Sequence, residues 1–381
     1  MKTDSQKTFD AAIIGGGVIG CAIAWRLAQA GLSTAIIERG NPGAEASGAA
    51  GGMLAPLAEA DRRDAFFDLS VDSRAHYPSL TTELFDATGV DIEYRTEGTV
   101  FLAFTDEDEA ELETRFAWQQ GADLNVERLD SISVRKLEPL VSEDVRWALR
   151  FPDDHQVNNR QLVVGLEAAC RASGVTIMDH TEATSLVSEQ GQIRGVQTRV
   201  GVVEAANVVI AAGSWSSLLA GSASTSAMAI EPVRGQMIAL NSPHPAPRCV
   251  IYSKRAYLIP RLGGFLIAGS TTEHAGYEKV VTAGGLATIL ERAIEIMPMA
   301  RSLAITETWA GLRPATADGL PVLGVDPAIN GLFYATGHYR NGILLAPITA
   351  EIIRDLIVSG STSRNLAPFE VTRFAHHSAA G

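Results

Sequence analysis

At 381 residues, with 46% hydrophobic and 20% charged residues, the chain reads as globular and long for a single core, so two domains are expected. A net charge of −13 argues against nucleic acid or an anionic membrane surface as a partner, and no apolar run approaches the roughly eighteen residues of a membrane-spanning helix. Three cysteines (Cys21, Cys170, Cys249) without CxxC spacing suggest no metal cluster, and with an N-terminus lacking a signal-peptide pattern they make a reducing cytoplasm the expected compartment.

Residues 9–38 read as strand, glycine turn, helix and strand. Residues 11–14 suit a buried parallel strand, Gly15, Gly17 and Gly20 satisfy G-x-G-x-x-G, and residues 18–30 form a helix closed by Gly31. The first glycine permits the tight bend, the second lets backbone N–H groups approach a pyrophosphate, and the third lets helix and sheet pack closely. The positive end of the helix then faces the phosphates. A second strand, residues 33–37, stops at Glu38. A carboxylate at that spacing accepts hydrogen bonds from an adenosine ribose and repels a 2′-phosphate. An ADP-containing dinucleotide is expected, and NADP is disfavoured.

Residues 40–56 are a small-residue loop in which Ser47, Gly51, Gly52 and Met53 allow backbone to approach a flat ring; a flexible connector is the alternative. Residues 63–84 read as helix, 90–104 as strands turning at Glu97-Gly98, and 105–120 as an acid-rich helix with Thr105 as N-cap. A helix over 162–171, a strand over 175–178 and a three-stranded meander over 183–209 follow. Residues 208–212 are another buried strand, ending at Gly213, so the nucleotide fold resumes there after an excursion. Strand signals fill 230–269, with turns at 243–247 and Gly263-Gly264. Then come a helix (285–296), a strand (304–311), the loop GLRPATADGLPVLG, a strand (332–336) and a last helix (343–359), with a loosely held polar tail from Ser361.

The pattern implies an α/β plus antiparallel β protein. A discontinuous Rossmann-like nucleotide-binding domain takes residues 1–85, 146–225 and 305–365. A substrate-binding domain built on an antiparallel sheet takes 86–145 and 226–304, and 366–381 form a C-terminal tail.

Two further motifs carry chemistry. Arg313, between Leu312 and Pro314, sits in apolar surroundings where arginine needs a partner; its planar fork suits a carboxylate, and a salt bridge to Asp318 is the alternative. TGHYRNGILLAP is a second strand–glycine–helix junction presenting backbone N–H groups and a positive helix end. A plain NAD domain has no need of it. A flavin, whose ring lies far from its adenosine, does.

GGGVIG with Glu38, GAAGGMLAP, RRDAFFDLS, the Tyr252/Tyr257 pair in IYSKRAYLIPR, WAGLRPATADG and GHYRNGILLAP together resemble the glycine oxidases of the D-amino acid oxidase family of FAD-dependent oxidoreductases, over residues 9 to 356. The resemblance implies non-covalent FAD, a small amino acid or N-substituted glycine such as sarcosine as substrate, and molecular oxygen as acceptor. The expected products are an imine, its 2-oxo acid such as glyoxylate, and hydrogen peroxide. In bacteria the family feeds thiamine biosynthesis, and it suggests a homotetramer. By position, Arg313 binds the substrate carboxylate, Arg340 lies near it and touches the flavin, and Tyr257 offers its hydroxyl to the substrate. Gly15, Gly17, Val18, Ile19, Gly20, Glu38 and Arg39 serve the adenosine and pyrophosphate part, with Ala183 flanking the adenosine through its backbone. Ala46, Ser47, Gly51, Gly52 and Met53 reach the flavin side, as does the run His338, Tyr339, Arg340, Asn341, Gly342, Ile343 and Leu344. With no cysteine near Arg313, the covalent flavin link of monomeric sarcosine oxidases is not expected.

Two positions depart from the family pattern: Arg255 replaces a histidine and Thr272 a methionine, both expected at the pocket mouth. They point to N-alkyl or N-carboxyalkyl glycines, with Arg255 pairing a second carboxylate or, alternatively, resting in solvent. Apart from His338, no titratable group in these motifs is aimed at a substrate α-carbon, which favours direct hydride transfer to flavin N5. The rival readings are a dehydrogenase using another acceptor and a flavin-binding module without turnover.

Overall fold

The computed structural model describes residues 8–219, 221, 228–242 and 244–377; the expected turn at Pro243 lies outside them in part. The apolar N-terminal run becomes strand Phe9–Ile14, at the centre of an eight-stranded sheet. It pairs in parallel with Thr34–Ile37 on one side and Gly201–Ile210 on the other. Thr176–Met178 and Leu332–Thr336 extend the parallel set, and Val322–Val325 closes one edge antiparallel. The meander is present as Ala183–Glu189, Gln192–Thr198 and Gly201–Ile210, the last strand running on into the sheet. Helix Val18–Gln29 packs on this sheet with Asn159–Ala172 and Gly342–Ser359, burying Ile23, Leu27, Leu166 and Ile353 in one core. Continuous apolar strands are what a parallel sheet covered by helices requires.

The second sheet, also of eight strands, runs Ile305–Ala315, Glu231–Asn241, Phe265–Gly269, Tyr257–Arg261, Val250–Tyr252, Thr99–Ala103, Trp147–Phe151 and Glu127–Asp130. Its pairings are antiparallel except for Val250–Tyr252 beside Thr99–Ala103, which is parallel.

Several boundaries differ from the sequence expectation. Strands Trp147–Phe151 and Ile305–Ala315, assigned above to the nucleotide-binding segments, belong to the second sheet. The latter also runs past Gly311 through Arg313 to Ala315, because Glu231–Asn241 supplies a ladder that continues to the pair Glu231↔Ala315. Pro314 is tolerated since this is the sheet's edge strand. The long helix expected over 63–84 is two, Ala65–Ala75 and Tyr77–Thr88, with Pro78 in the first turn of the second. Thr105 caps its helix as expected, its hydroxyl accepting from Asp108 N–H while the Asp108 carboxylate accepts from Thr105 N–H.

As far as Phe374 the tail is not loosely held. Leu366 and Phe369 pack into a cluster with Leu323, Leu345 and Ile348, and Val371 and Phe374 cover the other face of the first sheet. Few apolar residues in a polar stretch hid this anchor. Phe369 is 2% exposed, so Phe369→Ala is expected to cost about 3 kcal/mol or more. Denaturant unfolding measures it, and a loss below about 1 kcal/mol would remove the tail from the core.

Candidate active site

An elongated cavity of about 420 Å³ runs from Glu38 and Ala183 on the first sheet to Tyr257 and Arg313 on the second. That volume lies in the range of small-molecule sites. At its nucleotide end the glycine turn has no room for side chains: Gly15 has φ +108°, and a Cβ there would strike the Ala211 carbonyl. Gly20 lies behind the wall rather than on it, since a Cβ on it would collide with the Gly15 carbonyl; it serves the packing of helix on strand. The Glu38 carboxylate is fixed by two backbone donors, Gly16 N–H at 2.7 Å and Gly40 N–H at 2.8 Å. Thr181 N–H binds the Glu38 carbonyl, which brings Ala183 to the same end. The Arg39 guanidinium lies 3.5 Å from the Trp215 ring centroid and pairs with Glu45. The Ser47 hydroxyl accepts from Val18 N–H at the start of helix Val18–Gln29, 3.0 Å away.

The middle of the cavity is walled by the loop around Ala46–Ala49 and Gly51–Met53 and by the start of helix Gly342–Ser359. Leu345 N–H is the first in that helix to find an intrahelical carbonyl, that of Asn341. The N–H groups of Gly342, Ile343 and Leu344 therefore have no acceptor among the described residues, with the positive helix end behind them. Leu344 itself is buried at 3% exposure and packs into the core, not the wall. His338 is 4% exposed, and its Nε2 is engaged with Thr349 Oγ1 at 3.0 Å. Burial pulls its pKa down to about 3, so it is neutral and is no proton acceptor for a substrate. None of the three cysteines lines the cavity.

At the far end Arg313 is half-buried over Gly235, where a Cβ would overlap the guanidinium. Its Nη1 donates to the Thr271 carbonyl at 3.1 Å and its Nη2 to Ser270 Oγ at 2.8 Å. Asp318, the alternative partner raised by the sequence, is instead paired with Arg373. Among the described residues Arg313 makes no ion pair. Arg340 does: its Nη2 lies 3.0 Å from Glu59 Oε1 and donates to Tyr252 Oη at 3.1 Å, and Glu59 holds its pKa well above the usual value. The rings of Tyr252 and Tyr257 stack, and the Tyr257 hydroxyl donates to Met237 Sδ at 3.2 Å.

Two expected wall residues lie elsewhere. Arg255 pairs with Glu295, and its carbonyl accepts from Arg292, so it faces helix Ala283–Ile296. It sits in the turn closed by Ser253, before the alternation of strand Tyr257–Arg261 begins. Thr272 is exposed and off the wall. Its neighbours Thr271 and Glu273 turn inward, to Gln236 N–H and to Arg234. Sequence reasoning missed Glu59, Gly235 and Met237. Only Gly235 left a signal, a glycine inside a strand, which marks a close approach to its backbone.

FAD fits these walls: a side-chain-free turn, two helix starts facing the cavity, one of them with N–H groups that have no acceptor among the described residues, a fixed carboxylate for the ribose, and one cavity joining them. Acid lability of the fold follows from the buried imidazole. The unfolded chain binds a proton at His338 below its ordinary value of 6.5, whereas the folded chain does so only near 3. Stability is thus expected to fall as pH drops through that window. His338→Asn should show a shallower loss of unfolding free energy between pH ~7.5 and pH ~5.5 than the wild type; equal slopes would contradict the assignment.

Comparison with known proteins agrees with this geometry. Residues 10–356 match the family model described as DAO, FAD dependent oxidoreductase. The chain is 36% identical over 368 residues to a glycine oxidase of Geobacillus kaustophilus, covering 96% of this chain and 97% of that one. It is 38% identical over 371 residues to a bifunctional ThiO/ThiG protein of Trichormus variabilis, covering 96% of this chain and 55% of that protein. The crystal structure of glycine oxidase from Geobacillus kaustophilus superposes with a TM-score of 0.92 at 35% identity, covering 96% of this chain and 99% of that one. With its turn, its second helix start and its fold all accounted for in this way, the chain belongs to the FAD-dependent oxidoreductases of the DAO family.

Proposed function

We propose that this enzyme oxidises glycine and small N-substituted glycines such as sarcosine. Glycine, oxygen and water would give glyoxylate, ammonia and hydrogen peroxide. The observation that carries the reading is Arg313, a cavity-wall guanidinium that makes no ion pair among the described residues. A carboxylate is its natural counterion. Arg340 is already matched by Glu59. One unmatched cation at the substrate end supports a monocarboxylate, and with Arg255 turned to Glu295 the idea of a second carboxylate on the substrate loses its partner.

When bound, FAD supplies the two-electron acceptor and the reaction with oxygen. The chain's own residues bind and orient. Arg313 would hold the carboxylate, and Tyr257, beside it on the wall, would exchange its weak contact with Met237 for one to the substrate. His338 is neutral and committed to Thr349, and Glu59 is committed to Arg340, so neither takes a proton from the α-carbon. That favours departure of the α-hydrogen as hydride from a substrate with a neutral amine. The glycine turn and Glu38 would carry the adenosine part of FAD, and the Gly51–Met53 loop with the Gly337–Ile343 junction its ring. Oxygen as acceptor, a homotetramer, a cytoplasmic setting and a place in thiamine biosynthesis belong to the same reading.

Arg313→Lys keeps the charge and loses the fork, at about 1.5–3 kcal/mol for a charge-assisted pair. The apparent KM for glycine should rise about tenfold or more with FAD retained; unchanged kinetics would move the carboxylate site elsewhere. Acid precipitation should leave FAD in the supernatant, whereas colour in the pellet would mean a covalent link. Peroxide formed under air in step with glycine consumption separates an oxidase from a dehydrogenase.

A further inference from the structure

Strand Tyr257–Arg261 places Tyr257, Ile259 and Arg261 on one face, two residues apart, and all three meet the loop that walls the middle of the cavity. A Cβ on Gly51 would lie 2.7 Å from Ile259 Cδ1 and 3.5 Å from Tyr257 Cε2. Arg261 is 8% exposed and donates to the Gly51 carbonyl and, at 2.8 Å, to Gln156 Oε1. Among the described residues it makes no ion pair, so its hydrogen bonds go to carbonyl and amide oxygens, and the charge that favours it comes from Glu93, with which it is not in direct contact. A buried charge with no directly bonded counter-charge is costly and marks a group retained for its field or its bonds. Gln156 in turn faces Met53 across a short antiparallel pair, so the guanidinium grips the loop from two sides.

The peptide joining Gly51 and Gly52 is trans, so the Gly52 N–H points opposite to the Gly51 carbonyl. The carbonyl faces Arg261, which is off the cavity wall, while both glycines are on it. The Gly52 N–H has no acceptor among the described residues. Gly52 also has φ +74°, and a Cβ there would strike the Val157 carbonyl and come within 2.9 Å of Arg261 Nη2, so this form of the loop requires glycine at that position.

We propose that Arg261 is a positioning residue. Its buried charge polarises the Gly51–Gly52 peptide and aims the Gly52 N–H into the cavity, where it favours negative charge on the flavin ring and so makes the bound flavin easier to reduce. This rests on the ring lying at the Gly51–Met53 loop. Arg313→Lys tests substrate binding through KM, which this proposal does not involve, so the two readings can fail separately.

Arg261→Gln and Arg261→Lys distinguish charge from hydrogen bonding, because both keep a donor for the Gly51 carbonyl and only lysine keeps the charge. The measurements are the midpoint potential of the bound flavin, the rate of anaerobic flavin reduction by saturating glycine, and the Kd of each apoprotein for FAD. The glutamine variant should lose roughly tenfold in its preference for reduced over oxidised flavin, about 30 mV for a two-electron couple. Its reduction rate should fall while the KM for glycine stays within about twofold. The lysine variant should lie near wild type in potential and rate. Weakened FAD binding confined to the glutamine variant would support the same assignment. Equal potentials in all three proteins, or loss of FAD from both variants alike, would overturn it, the latter by showing that the site needs the guanidinium's shape and not its charge.

Discussion

Everything at the centre of this molecule depends on one close approach. The loop running from Ala46 to Met53, which belongs to the nucleotide-binding part, lies directly on the second sheet, with glycine backbone on one side of each contact and a side chain on the other. A Cβ on Gly311 would sit 2.5 Å from Ala49 Cβ, and one on Gly51 would sit 2.7 Å from Ile259 Cδ1. Repulsion at such distances is steep enough that something must shift before a methyl group is admitted: the loop itself at Ala49, whose Cβ is fixed to its backbone, and at least the Ile259 side chain at Gly51. Hydrogen bonds hold the loop from both sides: from the second sheet, Trp309 Nε1 to the Ala49 carbonyl at 3.0 Å, and from helix Asn159–Ala172 of the nucleotide-binding part, Asn159 Nδ2 to the Ser47 carbonyl at 2.8 Å. Each contributes about 1 kcal/mol, but together they decide where the cavity walls stand. A dinucleotide slot and a substrate pocket become one continuous space because of this seam.

Charge inside the cavity follows rules that the total charge does not reveal. The chain carries −13 overall, yet four arginines stand on the walls or behind them: Arg39, at the nucleotide end, pairs with Glu45, and the other three are each satisfied differently. Arg340 has a carboxylate, Glu59. Arg261 has only the oxygens of Gly51 and Gln156. Arg313 has Ser270 and Thr271 as neutral partners. Neutral acceptors orient a guanidinium without cancelling its charge, so Arg313 is held in place and remains electrostatically unspent. The fixed cation at this end and the neutral His338 in the middle of the cavity divide the work between attraction and inert wall.

How much of this was legible in the sequence depended on whether the determining contact was local. The glycine turn, Glu38, the meander and the final helix are each set by neighbours within a few tens of residues, and the structure contains all of them. The membership of Ile305–Ala315 was not legible, because its partner, Glu231–Asn241, lies far back in the chain and an edge strand with a proline reads as a loop. Arg255 and Thr272 were misplaced for a related reason: their spacing from Tyr257 and Arg313 was known, but the turn at Ser253 and the alternation after Gly269 decide which way they face. Glu59 gave no signal at all. A single glutamate in a four-residue helix matters only because Arg340, 281 positions later, arrives beside it.

The helix that carries Glu59 shows how far that dependence reaches. Helix Pro56–Glu59 is too short to hold itself together by its own hydrogen bonds. Its first N–H groups, of Leu57 and Ala58, are taken by the fully buried carboxylate of Asp154, at 3.1 and 2.9 Å. The Leu57 carbonyl is held in turn by Gln119. Asp154 thus does for this helix what an N-cap does for a longer one, from almost a hundred residues away. Burial raises its pKa to about 7, and the two backbone donors together with Arg74 at 3.6 Å act against that rise. The position of Glu59, and through it the neutralisation of Arg340, therefore rests on a carboxylate that never meets the cavity. That Arg313 is the single unmatched cation at the substrate end among the described residues is a property of this whole scaffold, since without Glu59 in place there would be two.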